Sequence, residues 1–318
     1  MKKDILKNVF FIFFVSIALL IFFSNNKVKA TEKTTSEEFF DSDEVILEYD
    51  AKTNTTKEIN MQELVAKLKG KKFIEQAEVY QPEISMLASE STRKITNPTV
   101  APYKMTCKVT FKTKNGTASG SAALVAPNLA LTAAHCVFDK SNNFEKYSNW
   151  KAYPAYNNGS AYKNLSAGWD KVYYSKKWKE TSGDYKYDWA LCVLQANLGD
   201  SVGYHKVATY NSNDSMKNLS VNLLGYPKEE LFDGKNQYES RGTITSVSSE
   251  TFRASCWSVA GFSGGPVIRT SDNKIVGVAS RNRTSWLCAC KNYAKYDKYY
   301  KWLFIKNNIT WLNNIIMI

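Results

Sequence analysis

The chain has 318 residues, 44% hydrophobic and 14% aromatic, enough apolar material for a packed core, which excludes a wholly disordered chain. Its 42 basic and 30 acidic side chains leave a net +12, which suits an anionic partner or surface but assigns nothing until the charge is placed. Only two histidines, His135 and His205, are present, so imidazole chemistry has two places to sit.

Met1 to Lys7 carries three lysines and one aspartate, and Val9 to Phe23 then runs VFFIFFVSIALLIFF, broken only by Ser16. Fifteen residues of helix span ~22 Å, short of a ~30 Å hydrocarbon core. With the small-x-small signature Val28-Lys29-Ala30 behind it, residues 1–30 read as a secretory signal peptide cut after Ala30. No later stretch is long and apolar enough to span a bilayer, so a secreted, extracellular protein without a lasting membrane anchor is expected. Residues 31–94 hold fourteen acidic and nine basic side chains, net −5, whereas 95–318 hold fifteen acidic and twenty-eight basic, net +13. The acidic stretch reads as a pro-segment able to dock electrostatically on the basic domain behind it. Its one strong helical signal is MQELVAKLKG, Met61 to Gly70, apolar at 61, 64, 65 and 68.

From Ile95 the pattern turns to β. KVTFKT, SAALVAP, LALTAAHC, WALCVL, VNLLGYP, GTITSVS and KIVGVAS are short apolar or β-branched runs separated by turn dipeptides such as Asn-Gly and Asp-Gly. Tyr300 to Ile318, with Trp302, Ile305, Ile309, Leu312 and Ile316 three and four apart, reads as the only helix of this region. The expected fold is all-β: two six-stranded antiparallel β-barrels with a C-terminal α-helix, after a signal peptide and pro-segment.

Three motifs carry chemistry. Gly261-Phe262-Ser263-Gly264-Gly265 sets a serine among glycines, leaving its hydroxyl uncovered and letting the backbone aim two N–H groups at one point. Leu131-Thr132-Ala133-Ala134-His135-Cys136 ends a hydrophobic strand in a histidine held well enough to act as a base. Tyr187-Asp188-Trp189 places an acid just ahead of the buried strand ALCVL, where it needs a partner. A histidine N–H supplies one and fixes the useful tautomer. The bland alternatives are a glycine turn, a core histidine and a solvated turn aspartate. No histidine follows Ser263, and no acid lies between Ile95 and His135. The order serine–acid–histidine therefore fails, aspartate–histidine–serine fails for His135, and histidine–aspartate–serine is satisfied by His135, Asp188 and Ser263.

TAAHC, YDWALCVL and GFSGGPV resemble the three signature blocks of chymotrypsin-like (trypsin-fold) serine proteases. RKITNPTVAPY, DSVGYHKV and LLGYPKEELFDGKNQYES are similar to the bacterial secreted glutamyl endopeptidase branch, so the resemblance covers roughly 95–318. It implies a serine endopeptidase with His135 as general base, Asp188 orienting it, Ser263 as nucleophile, and the N–H groups of Gly261 and Ser263 as oxyanion hole. No metal or organic cofactor is required, the partners are protein or peptide substrates, and a monomer is expected. The rival class is a catalytically inactive protease fold used for binding or adhesion, but such proteins usually lose a triad member and all three are kept. Nucleic acid is not expected: the lysines of 163–186 and 291–306 form no recognised nucleic-acid motif.

The resemblance also frames specificity and maturation. Where trypsin carries its pocket acid, six residues before the serine, stands Trp257, so basic residues before the scissile bond are disfavoured. Where glutamyl endopeptidases place a carboxylate-binding histidine stands Ala279. Trp257, Ser258, Ala279, Ser280 and Arg281 are the candidate pocket residues, with Arg281 and Arg283 as sources of positive charge, and an acidic residue is weakly favoured. Phe262 occupies the position of the zymogen-switch aspartate, so activation by a new N-terminal amine is not expected. Removal of 31–94 by a cut between Ile84 and Ile95 is. Six cysteines in an exported chain predict disulfides among Cys107, Cys136, Cys192, Cys256, Cys288 and Cys290, with connectivity open. In animal relatives the cysteine after the histidine is bridged, and Cys107 is the nearest substitute partner for Cys136.

Overall fold

The computed structural model describes residues 44–69, 92–208, 210, 214–229, 232–282 and 302–305. Chain contacts separate Met1–Phe40 from a second unit, Asp41–Ile318, which holds everything described. The signal peptide, Cys288, Cys290 and Arg283 lie outside the described residues. Among those residues no helix is long and apolar enough to cross a membrane.

The chain enters as a hairpin, β1 (Val45–Asp50) and β2 (Thr55–Asn60), followed by a helix, Met61–Lys69. β3 (Thr92–Lys94) comes next. The first barrel is built from β4 (Thr106–Thr113), β5 (Gly116–Ala126), β6 (Leu129–Thr132), a small hairpin of β7 (Phe138–Asp139) and β8 (Glu145–Lys146), then β9 (Ser148–Pro154), β10 (Trp169–Ser175) and β11 (Ala190–Leu194). The second follows with β12 (Ser220–Gly225), a small pair of β13 (Lys228–Glu229) and β14 (Phe232–Asp233), then β15 (Tyr238–Val247), β16 (Thr251–Ala254), β17 (Pro266–Arg269), β18 (Ile275–Asn282) and β19 (Trp302–Ile305).

Strand order in the first sheet is β2-β1-β10-β11-β6-β5-β4-β9, and an isolated bridge between Ala152 and Ala167 brings its far strand back toward β10. The second sheet runs β12-β17-β18-β19-β16-β15-β3, and β15 pairs with β12 to close a ring of six. Period-two burial explains the local structure. In β4, Cys107, Val109 and Phe111 point into the first core while Lys108, Thr110 and Lys112 alternate with them. In β12, Val221 and Leu223 enter the second core between Ser220 and Asn222. The two expected barrels are thus present, each around its own core.

Two expectations meet a different arrangement. The helix from Tyr300 is not seen where the tail is described: Trp302–Ile305 is a strand, paired with β16 and β18, and 306–318 lies outside the described residues. Disulfides are not formed among the described cysteines. Cys107, Cys136 and Cys192 sit in the first core and Cys256 in the second, packed as small apolar side chains, and burial pushes the Cys256 thiol up to about 12. The described strands of the stretch ahead of residue 95 also pair with the two barrels. β1 pairs antiparallel with β10 from Ile46↔Ser175 to Asp50↔Lys171, and β3 pairs with β15. The predicted helical stretch forms as Met61–Lys69 and lies against that hairpin.

Candidate active site

His135 sits in a single 3-10 turn, Ala134–Cys136, one residue after β6, and Asp188 lies two residues ahead of Ala190, the first residue of β11. β6 and β11 are antiparallel neighbours with Ala190 opposite Thr132, so the end of one strand and the start of the other lie side by side. That register brings Asp188 to His135. The His135 N–H donates to Asp188 Oδ1 at 2.8 Å, and His135 Nδ1 lies 2.6 Å from Asp188 Oδ2. The acid is buried, 4% exposed, whereas 32% of the histidine side chain meets solvent. Burial opposes protonation of His135, but the Asp188 carboxylate outweighs it and holds the ring well above its ordinary range.

The third bond to the acid comes from a residue assigned above to the substrate pocket. Ser280, on β18, donates its hydroxyl to Asp188 Oδ2 at 2.6 Å. Its hydroxyl is therefore engaged with the acid. Its neighbour Ala279 is fully buried in the second core, and its main chain binds the serine loop on both sides, accepting from Gly264 N–H at 2.7 Å and donating to Gly265 C=O at 3.0 Å.

Ser263 is partly exposed between fully enclosed neighbours. Two glycines make its turn possible. Gly261 has φ +94°, and a Cβ there would lie 2.3 Å from Tyr226 O; Gly264 has φ +79°, and a Cβ would lie 2.1 Å from Thr132 Oγ1. The turn is tied to the first barrel through Ser121, a residue that sequence reasoning did not single out. Ser121 N–H donates to Ser263 C=O at 2.8 Å, and Ser121 Oγ donates to Gly261 C=O at 2.7 Å. The same hydroxyl accepts from Tyr226 N–H at 2.9 Å, and Ser121 C=O accepts from Thr132 Oγ1 at 2.8 Å. The Ser263 carbonyl also receives Cys136 Sγ at 3.6 Å, so the serine's main chain rests on the residue next to His135. Lys228 N–H holds Ala260 C=O at 2.8 Å, fixing the peptide that leads into Gly261. The N–H groups of Gly261 and Ser263 have no protein partner among the described residues.

Trp257 is partly buried and packs against Phe232 and Phe262, with ring centroids at 5.3 and 6.4 Å, and Ser258 beside it is fully buried. For Arg281 the backbone alone is described. His205 is buried, with Nε2 at 3.2 Å from Thr106 Oγ1, so its side-chain partner is not Asp188 but a threonine.

Residues 120–278 match the family model of the trypsin-like peptidase domain, and the chain belongs to that family. Among solved structures it is similar to a Glu endopeptidase, with TM-score 0.58 and 24% identity over 72% of this chain and 96% of that one. It is also similar to a thermostable serine protease from an extremophilic microorganism, with TM-score 0.55 and 22% identity over 67% and 97%. These neighbours establish the chymotrypsin-like two-barrel fold expected from TAAHC, YDWALCVL and GFSGGPV. A curated relative, the extracellular metalloprotease of Bacillus subtilis (strain 168), is 30% identical over 150 residues. That match covers 46% of each chain, so this chain spans about half the length of that relative. The relative's name implies a metal. Among the described residues no three His, Cys, Asp or Glu side chains come together, and the two histidines bond to Asp188 and Thr106, so the described residues do not fit one.

Proposed function

We propose that this protein is a secreted serine endopeptidase working through His135, Asp188 and Ser263. The observation that carries the reading is the hydrogen-bonded chain Ser280–Asp188–His135 together with a partly exposed Ser263, whose carbonyl meets Cys136 next to His135 and whose turn holds two N–H groups without a protein partner among the described residues. Ser263 Oγ attacks the peptide carbonyl as His135 Nε2 takes its proton. The buried Asp188 carboxylate stabilises the imidazolium that results and keeps the ring in one tautomer. The N–H groups of Gly261 and Ser263 receive the oxyanion, and His135 returns the proton to the leaving amine. Water, activated by the same histidine, then hydrolyses the acyl-enzyme.

Residues 1–30 direct export, and 31–94 form the pro-segment ahead of the protease region 95–318. The pocket prefers an acidic over a basic residue before the scissile bond. Between 250 and 290 the only acids are Glu250 and Asp272, and Asp272 is held by Arg269 at 2.5 and 2.9 Å, leaving no placed counter-charge for a lysine or arginine side chain. A fluorophosphonate probe, which labels activated serines alone, tests the mechanism: the wild-type chain is labelled on Ser263, and Ser263→Ala, His135→Ala and Asp188→Ala are not. An unlabelled wild-type chain, folded and fully processed, would refute it. A peptide library then reads the pocket, and dominant cleavage after Lys or Arg would overturn the specificity.

A further inference from the structure

The acidic stretch ahead of the protease region does more than lie on its surface. β1 extends the first sheet across the outer edge of β10, with main-chain pairing over five residue pairs. Its two faces are both covered. Leu47 and Tyr49 belong to the first barrel's own core, where the Tyr49 ring meets Phe138 at 6.0 Å and Trp169 at 5.7 Å. Ile46, fully buried, lies on the opposite face, opposite Ile59 across the hairpin. Leu64 and Leu68 of the helix are likewise buried.

Charge closes the same seam. Glu48 is 2% exposed and pairs with Lys67 of the helix and, at 3.1 Å, with Lys171 of β10. Burial would raise its carboxyl, but the two lysines outweigh that and hold it below the usual carboxylate range. Asp50 reaches Lys171 at 2.8 Å, and Glu58 reaches Lys176 at 2.7 Å. The acidic segment and the basic domain thus meet residue by residue.

The other end of the stretch is also held. Arg93 Nε binds buried Glu239 at 2.6 Å, Tyr103 Oη donates to the same carboxylate at 2.8 Å, and Ile95, 4% exposed, donates its N–H to Gln237 C=O at 2.8 Å. Cleavage at Lys94–Ile95 would require β3 to leave β15 first. A processing cut is therefore accommodated upstream of Thr92.

We propose that residues 44–69 are retained as a fixed part of the working protein: the outer edge of β10 is an interaction surface whose partner is this strand–strand–helix unit, held non-covalently once the chain between 70 and 91 is cut. Apolar core burial, β-pairing and a buried ion cluster hold it together, which is the pattern of strand addition to a sheet edge. The unit buttresses the site from both sides. Tyr49 packs on Phe138, three residues past His135, and β1 braces β10, whose chain leads through 176–187 to Asp188. This inference does not rest on the reaction, so its failure and that of the protease reading are separable.

The test uses the full exported chain carrying Ser263→Ala, with a recognition site for a sequence-specific protease placed between 70 and 91. After cutting, size-exclusion chromatography at low micromolar protein, without and with molar salt, shows whether the pieces part. Co-elution in both, with residues 44–69 in the peak by mass spectrometry, is the expected result, since apolar burial survives screening. Tyr49→Ala in the same cut chain should release the unit, and its release confirms that the core contact holds it. If the wild-type pieces separate and the remainder keeps its melting temperature, the proposal is overturned and the segment is a detachable one. Co-elution unaffected by Tyr49→Ala would overturn the core contact as its basis.

Discussion

Replacing Ser121 with alanine removes one hydroxyl and strands two buried main-chain groups, the Gly261 carbonyl 2.7 Å away and the Tyr226 N–H 2.9 Å away. Each buried polar group left unpaired costs about 1–3 kcal/mol, so the pair costs roughly 2–6 kcal/mol if nothing moves. Water offers little relief, because a single missing oxygen leaves less room than a water molecule needs. The relief available is rotation of the peptides around Gly261, which lacks a Cβ and sits at φ +94°. Such rotation lowers the stability loss to about 2–3 kcal/mol, a fall of roughly 4–12 °C in melting temperature for a domain of this size. It also misaims the Gly261 N–H. Losing one oxyanion donor outright costs ~2.7–4 kcal/mol, so a misaimed one should lower kcat by about 10–100-fold. KM should change little, since the bond that suffers forms in the transition state. The assays are differential scanning calorimetry, steady-state kinetics on a peptide ester, and fluorophosphonate labelling rate. An alanine variant with wild-type kcat and an unchanged melting temperature would show that Ser121 does not hold the serine turn.

Ser280→Ala removes one of three donors to Asp188 and leaves both bonds to His135, so kcat should fall by about tenfold with KM unchanged, read by steady-state kinetics. Gly120→Cys should form a disulfide with Cys136, because a Cβ on Gly120 would stand 2.9 Å from Cys136 Sγ, close to the span from a Cβ to the far sulfur of an S–S bond. Closing a loop of that length should add about 3 kcal/mol, seen as a melting-temperature rise that reductant abolishes, with loss of two free thiols. His205, depressed by burial to about 4, is neutral when folded, so the unfolded chain takes up the extra proton below its own value near 6.5. Stability is then lost as pH falls from about 6.5 toward 4, by about 3 kcal/mol, and denaturation at stepped pH should find that loss absent in His205→Gln.

The proposed trio could be picked out of the sequence because each member's local chemistry is written in contiguous residues: glycines around Ser263, a strand end before His135, a strand start after Asp188. The supports of that trio could not. Ser280 reaches Asp188 across 92 residues and Ser121 reaches Gly261 across 140, and a lone serine in an apolar strand carries no local mark of such a contact. The β1 strand escaped for another reason. VILEYD is covered on both faces, with Glu48 answered by lysines from elsewhere in the fold, so no polar–apolar alternation announces it. Charge imbalance alone hinted at its partner. The four described cysteines carry no bridge, because a buried thiol serves equally well as core and nothing local in the sequence separates the two uses. The tail shows the ambiguity of spacing in an apolar run, since Trp302 and Ile305 satisfy a helical period yet stand on a four-residue strand.

The way the site is divided between two cores sets its weakest point. The first core contains Val109, Leu124 and Val172, the second Val221, Ile244 and Phe252, and the two form separate clusters. His135 and Asp188 belong to the first barrel, Ser263 and Ser280 to the second. The bonds that join them at the site are polar: Ser121 N–H to Ser263 C=O, Ser121 Oγ to Gly261 C=O, and Ser280 Oγ to Asp188. Net hydrogen-bond contributions of about 0.5–1.5 kcal/mol each are small beside a barrel core. A slight parting of the barrels therefore separates serine from histidine while each core stays intact, and no single two-state transition describes both. In urea, loss of turnover should precede loss of far-ultraviolet β signal, with the fluorophosphonate labelling rate following turnover. Coincident midpoints for activity, labelling and secondary structure would show instead that the two barrels and the site unfold as one.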